Sequence, residues 1–473
     1  WSIAAAEPSI ESLRMWNEID ELMEKKSVNS AKQKLTELKE TIKLTDELNR
    51  LRYEIYYLAL DLGDARKGQN LYAQSVLDSY SRVKTLRDGM KDDALKAIAS
   101  YYMANALTSY SHNLRRSTRS EVVRADRSSD MAEWSYNEIK EQALADLDFA
   151  LVDIEKLIDV KVDDYLPLFL KKQDHEFNSV GDAIGMNALD IYDAIFSDEV
   201  NLYASHRFNR LSLLTPFNML VPKKDAPRQI NLLTRLVSAH KARGDQRRTI
   251  IMDMKRLLYV RNMLGMSMNE EFLPAIDSLI AAYPDNPAIF TVQVEKFKIL
   301  LSMASSLLEK QPTLYADIER EGNLLMKKFP DAKETENMKH ILAKLRQNSF
   351  EIQVCEQFAK GDALKLKVRN ANVKKIKLQL YKVQTTINRI RNKYDIDLQK
   401  YFVAIPLEKE VYELTPSNYL QESVDEIVLH DKLDYGYYAL KAECLEGEKV
   451  DEEWVTRHKN TSSCAYFMVS DLF

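Results

Sequence analysis

Glycine and proline are both scarce, at 11 and 12 residues in a chain of 473. So few glycines exclude a molecule built from tight loops or phosphate-cradling turns, and they suit long helices. No GxGxxG turn and no GxSxG elbow is present. Cysteine is rarer still. Cys355, Cys444 and Cys464 make an odd, low count, which excludes a disulfide framework. Charge of one sign is also missing: 67 basic against 72 acidic residues leave a net charge of −5, with no electrostatic reason to expect a nucleic-acid partner. No run of about 18 apolar residues exists to span a membrane. The opening WSIAAAEPSI lacks a basic leader and a full apolar core, so it is no signal peptide. It reads as the start of a processed or trimmed chain, and membrane contact would come only through a lost N-terminal anchor. The seven histidines, His112, His175, His206, His240, His340, His430 and His458, form no HExxH and no paired-helix spacing, so a zinc site lacks its ligands.

What is present is ordinary core-forming material: 45% hydrophobic and 29% charged residues, in a length that suits about two to four domains. From residue 10 to 349 apolar residues recur every three or four positions, the period of a helix with one buried stripe. Leu13, Trp16, Ile19 and Met23 form the first stripe. Ala31, Leu35, Leu38 and Ile42 form the second, with Ser27 and Asn29 as caps. Leu44, Leu48, Leu51, Ile55 and Leu58 follow, ending at Gly63, a helix-stop residue. Leu95, Ile98, Tyr102 and Leu107 continue the series, then Ile139, Leu144, Leu147, Leu151, Ile154 and Leu157. AAYPDNPAIF (281–290) and the stretch around Pro330-Asp331 place prolines between one helix and the mouth of the next. Helices in series with tight turns predict a loose tetratricopeptide-like array over 1–348, a compact bundle being the alternative. Two segments interrupt it. NLRRSTRSEVVRADRSSD (113–130) carries Arg115, Arg116, Arg119, Arg124 and Arg127, which suit an anionic surface or a plain solvated loop. LLTPFNMLVPKKDAPRQ (213–229) turns the chain with three prolines.

The period drops to two at GDALKLKVRNANVKKIKLQLYKV, residues 361 to 383. Leu364, Leu366 and Val368 alternate with Lys365, Lys367 and Arg369; beyond Asn370 and Asn372, Ile376, Leu378 and Leu380 alternate with Lys377 and Gln379. This predicts a half-buried β-hairpin with the asparagines in its turn. FEIQVCEQF before it, and KYFVAIPL, EKEVYEL, VDEIVLH, YGYYALKAECLE and SCAYFMVSDLF after it, read as strands. TTINRIRNKYDIDLQ (385–399) reads as a helical or irregular insertion. About seven short strands predict an antiparallel β-sandwich over 349–473, giving an α+β multidomain chain.

Candidate chemistry is thin. Cys355-Glu356-Gln357 brings a Cys near a Gln, but a thioester motif reads GCGEQ, with two residues between, so an ordinary strand is the better reading. Cys444 and Cys464 fall on neighbouring strands and either pair or stay as buried thiols. Tyr is frequent, at 24 residues, with doublets at Tyr56-Tyr57, Tyr101-Tyr102 and Tyr437-Tyr438 that suit packing seams and binding surfaces. Acidic residues are spread as on solvated helix faces, so no pair is singled out. No residue is assigned a catalytic, cofactor-binding or metal role.

A helical region closing with KKFPDAKETENMKHILAKLRQNSFEIQ, followed by LKLKVRNANVKKIKLQLYKV, resembles the N-terminal part of bacterial alpha-2-macroglobulin-like proteins. LDYGYYALKAE (433–443) and AYFMVSDLF (465–473) resemble the last strands of a macroglobulin domain. IDELMEKKSVNSAKQKLTELKETI (19–42) and DDYLPLFLKKQDHEFNSVGDAI (163–184) resemble the helical region of that branch. The thioester domain and the bait segment are absent. The resemblance implies a non-enzymatic scaffold region of an exported endopeptidase inhibitor in the periplasm or at the surface of a Gram-negative bacterium. Its partners would be proteins, including proteases through the full-length parent and downstream domains of the same chain, with no cofactor. The runner-up is a SusD-type carbohydrate-binding lipoprotein, which four Trp and 11 Gly fit poorly. A glycosidase would need two positioned carboxylates.

Overall fold

The computed structural model describes residues 10–41, 46–65, 71–114, 128, 130–170, 177–205, 227–264, 269–385, 398–415, 422–430, 432–447 and 462–471. The protein is α+β, with helices first and antiparallel and mixed sheets after them. It divides into two compact units, Trp1–Ala288 and Ile289–Phe473. The change from helix to strand falls later, between Leu345 and Ser349.

The first unit contains α1 (Ile10–Glu24), α2 (Val28–Thr41), α3 (Glu47–Ala65), α4 (Leu71–Gly89), α5 (Asp93–Leu114), α6 (Tyr136–Leu151), the single turn α7 (Ile154–Leu157), α8 (Val180–Ser205), α9 (Arg228–Ala242), α10 (Gln246–Leu264) and α11 (Asn269–Ala282). Its main core runs from Leu51 and Ile55 on α3, across Ile98 and Leu107 on α5 and Ile139 and Leu147 on α6, to Leu236 on α9. Ala31, Leu35 and Leu38 on α2, the predicted stripe on α5, and Ile139, Leu147 and Leu151 on α6 are buried, Leu144 is half-buried, and Ile42 and Leu44 lie outside the described residues. The stripe on α1 is rotated: Met15, Trp16 and Ile19 are buried, while Leu13 is 49% exposed. Ser27 stands immediately before α2, but Asn29 lies inside its first turn. Gly63 does not stop α3, which runs on to Ala65. A glycine inside a helix costs only about 1 kcal/mol, less than the burial of Ile55 and Leu58 returns. The start of α6 is fixed by a capping box. Ser135 Oγ accepts from the Glu138 N–H at 3.3 Å, and Glu138 Oε2 accepts from the Ser135 N–H at 2.8 Å.

The second unit begins with α12 (Ile289–Ser302), α13 (Ala304–Leu307), α14 (Leu314–Lys328) and α15 (Glu334–Leu345). Pro284 and Pro287 precede α12, and Pro330 separates α14 from α15, as the sequence indicates. Nine strands follow among the described residues: β1 (Ser349–Val354), β2 (Gln357–Phe358), β3 (Leu364–Ala371), β4 (Val373–Val383), β5 (Phe402–Ile405), β6 (Val411–Glu413), β7 (Ser423–Leu429), β8 (Gly436–Gly447) and β9 (Ser462–Val469). They form two sheets, β1-β3-β7 and β2-β9-β8-β4-β5, with β6 also pairing β4. One hydrophobic cluster takes residues from both sheets, including Phe350, Leu366, Val368 and Ile427 from the first and Ile376, Leu378, Leu440 and Phe467 from the second.

The alternation over 361–383 is real, but the hairpin is not. β3 pairs with β1 and β7, whereas β4 pairs with β5, β6 and β8, so the two strands lie in different sheets. A single residue, Asn372, joins them, with φ at 61°. One residue is too short for a hairpin loop, and the left-handed angle that Asn tolerates turns the chain from one sheet to the other. Asn372 Nδ2 donates to the carbonyls of Leu345 at 3.1 Å and Gln347 at 2.9 Å, tying this crossing to the end of α15. The first predicted strand also changes sheet. It breaks at Cys355-Glu356 into β1 and β2, and β2 pairs parallel with β9, so the second sheet is mixed rather than purely antiparallel. Near the start of β8 the hydroxyl of buried Tyr438 donates to the Asp434 carbonyl at 2.6 Å, pinning the turn that enters the strand.

Candidate functional site

One buried polar cluster of the helical unit lies at the N-terminus of α8. Asp182, in its first turn, accepts from His240 Nε2 of α9 at 2.8 Å and from Arg248 Nη1 of α10 at 2.6 Å. Burial alone would push the Asp182 carboxyl up, but the His240 and Arg248 donors hold it below the usual carboxylate range. A His–Asp pair is the raw material of a general base. Here the His240 and Asp182 side chains are 1% and 0% exposed, so the pair itself meets no solvent, and the cluster joins three helices and reaches the surface only along Arg248. The pair spans 58 residues of sequence, and nothing local in the sequence announces it.

The tyrosines do related work. Tyr56 of α3 donates to Asp20 of α1, Tyr80 of α4 to Asp146 of α6 at 2.7 Å, and Tyr165 to Asp92, just before α5, at 2.8 Å. Tyr192 of α8 donates to Asp148 of α6 at 3.4 Å, and Tyr259 of α10 to Asp193 of α8. Each of these hydroxyls reaches a carboxylate on another element, and Tyr56, one of the doublet residues, packs at a seam as the sequence suggests. Burial drives the phenols of Tyr56, Tyr80 and Tyr259 above their ordinary range, and pushes Tyr192 up to about 12. Burial likewise raises the Asp146 carboxyl, against the lowering effect of Tyr80 and Arg87.

Recognition chemistry also gathers on the outer face of the six-stranded sheet. Four aromatic rings line it. Tyr381 of β4 stacks on Phe402 of β5 with centroids 5.0 Å apart, Phe402 meets Tyr466 of β9 at 6.3 Å, and Tyr466 lies nearly parallel to Tyr437 of β8 at 6.1 Å. Ala439 is the residue opposite both Tyr381 and Tyr466, and its small side chain leaves room for the rings to meet over it. Tyr381 Oη donates to Gln379 Oε1 at 3.2 Å, at the polar border of the row. Flat aromatic area with hydroxyl tips is the chemistry that protein-binding surfaces favour.

The other residues singled out in the sequence resolve as follows. Cys444 and Cys464 do not pair. Cys464 sits opposite Lys441, three residues from Cys444 along β8, and the alternation places the two thiols on opposite faces. That separation, about 10 Å at 3.3 Å per residue, exceeds disulfide reach. Cys355 is an exposed thiol at the break between β1 and β2, and the Gln357 amide is taken up by Ser470 Oγ at 2.8 Å. Arg115, Arg116, Arg119, Arg124 and Arg127 lie outside the described residues, as do His175, His206, His458, Pro216, Pro222 and most of 385–399. Among the described residues no group of three or more His, Cys, Asp and Glu is placed to hold a metal ion, and no described helix is long and apolar enough to cross a membrane. Compared with known protein families, curated proteins and solved structures, the chain finds no match in any of the three.

Proposed function

We propose that this chain is a non-enzymatic protein-interaction and scaffold region of an exported alpha-2-macroglobulin-like protein, an endopeptidase inhibitor of the bacterial envelope. The observation that carries the reading is the two-sheet arrangement around one core, with its Tyr438–Asp434 bond and an aromatic outer face, following a long helical region. In this reading the helices form a tetratricopeptide-like array, and the sandwich is a macroglobulin-like domain that precedes further domains of the same kind. Partners are proteins, with proteases engaged through the parent chain. The protein sits in the periplasm or at the surface of a Gram-negative cell. The Tyr–Asp bonds between helices support a surface held in one shape, since hydrogen bonds to charged groups contribute about 1.5–3 kcal/mol each.

The test is capture from envelope extract by the full chain and by a Tyr437→Ser/Tyr466→Ser variant. A protein recovered by the first and lost with the second supports the reading. Recovery of nothing, or of the same set by both, counts against it. The SusD-type alternative draws on one observation, the nearly parallel Tyr437 and Tyr466 rings, which could stack a sugar face. Saturable binding on a glycan array would favour it.

A further inference from the structure

The sandwich has several sheet edges, and most are protected. An unprotected edge offers free backbone N–H and C=O groups to any extended chain, and proteins usually shorten, cap or charge such edges. Here β2 has two residues, β6 three and β5 four. The edge of β1 is capped where the Ile352 N–H donates to Ser463 Oγ at 3.2 Å. The least protected is β7. It is the longest edge strand among those described, running for seven residues without a bulge, a proline or a lysine though it carries Asp425 and Glu426, and β3 is its one strand partner among the described residues. Thr415 borders its first part by donating to the Asp425 carboxylate at 3.1 Å, and among the described residues no strand pairs with the outer side of Glu426–Leu429. Its outward side chains are also unusual for an edge, with Val424 57% and Val428 39% exposed on either side of Glu426.

The paired side of β7 indicates which composition fits it. β3 lies antiparallel with Leu366 opposite Ile427, Leu364 opposite Leu429 and Lys367 opposite Glu426. Lys367 Nζ stands 3.8 Å from Glu426 Oε1. A strand added to the free side would meet the same side chains from the other flank. Its inward residues would extend the apolar layer of Ile427 and Leu429, and its outward residues would face Glu426 between two valines. An apolar–basic alternation satisfies both demands, and an acidic one would be repelled.

We propose that the free edge of β7 accepts, by strand addition, an extended segment of another polypeptide that alternates apolar residues with Lys or Arg. Backbone hydrogen bonds would supply most of the affinity and Glu426 the choice of charge. The inference names the partner class for the interaction-module reading and rests on that reading, but not on the macroglobulin kinship.

The probe is a fluorescent peptide with the sequence of residues 363–370, titrated by anisotropy against the full chain. Controls are the same peptide with Glu at each basic position and a version N-methylated at alternate backbone nitrogens. Expected are saturable binding of the basic peptide, a loss of at least tenfold for both controls, and slowed amide exchange within Glu426–Leu429. Glu426→Lys, a surface change that leaves the core intact, should reverse the preference between basic and acidic peptides. No saturable binding overturns the inference. So does equal binding of the N-methylated peptide, which would mean charge attraction without strand pairing, or indifference to Glu426→Lys. Failure here with Tyr437/Tyr466-dependent capture intact removes the edge site and leaves the scaffold reading standing. The converse pattern removes the aromatic face and leaves the edge.

Discussion

Gly181→Ala should destabilise the helical unit, although alanine is the better helix former. Gly181 is the second residue of α8, packed against the single turn α7. An added Cβ would lie 2.7 Å from Ile158 N, 2.9 Å from Ile154 O and 2.9 Å from the Leu157 carbonyl carbon. All three are backbone atoms, so no side-chain rotation relieves the overlap. Overpacking of this kind costs about 3 kcal/mol at the upper end of its usual range. The helix-propensity gain offsets about 1 kcal/mol of it, leaving a net loss of about 2 kcal/mol. Relief by sliding α8 away would disturb Asp182, the next residue, and its bonds to His240 and Arg248. The assay is urea unfolding followed by tryptophan fluorescence. Trp16 and Trp134, the two tryptophans among the described residues, lie in the helical unit and report on it. Gly63→Ala is the internal control: it too is helical, but nothing stands within 4 Å of its added Cβ. It should gain about 0.5–1 kcal/mol. A Gly181→Ala midpoint equal to or above the unmodified protein, with Gly63→Ala behaving as expected, would refute the close α7–α8 approach.

Other outcomes follow from the same geometry. Tyr438→Phe should lower the stability of the sandwich unit by about 1 kcal/mol, read from its unfolding midpoint, because the Asp434 carbonyl loses its donor. Tyr192 is neutral in the fold with its phenol at about 12, above the ordinary value near 10. Its contribution is whole below pH 10 and is lost as pH climbs from 10 through 12, a loss of about 2–3 kcal/mol. Tyr192→Phe should flatten that alkaline limb in a pH series of unfolding midpoints. Under mild oxidation no Cys444–Cys464 bond should form, and a thiol reagent should modify Cys355 and Cys464 at least tenfold faster than Cys444, which packs against the sandwich core.

Periodicity carried the element types well, because burial of one face is a local demand on the sequence. The apolar residues of α2, and the alternation of β3 and β4, needed no knowledge of their partners. Pairing was less legible. Whether β3 and β4 join each other or part into separate sheets depends on β7 and β8, some 60 residues further on, and on the left-handed Asn372. The same holds for Cys444 and Cys464: strand neighbours were foreseeable, while a three-residue offset, which sets the faces, was not. Leu13 shows the limit of a stripe read by spacing, since a small rotation of α1 buries Met15 in its place. The aromatic row was half visible. Tyr437-Tyr438 stood out as a doublet, but a strand sends its two members to opposite faces, one to the Asp434 bond and one to the surface row.

The short parallel pairing of β2 with β9 joins stretches from the two ends of the sandwich. Tension applied between those ends would draw the two strands past each other lengthwise. The bonds from Met468 N to Glu356 O at 2.8 Å and from Ser470 N to Phe358 O at 2.9 Å would then bear the load together, where a hairpin would peel open one bond at a time. The Gln357–Ser470 side-chain bond would share it. A fold wired in this way resists stretching better than its modest two-residue strand suggests, and it would yield abruptly once those few bonds gave way.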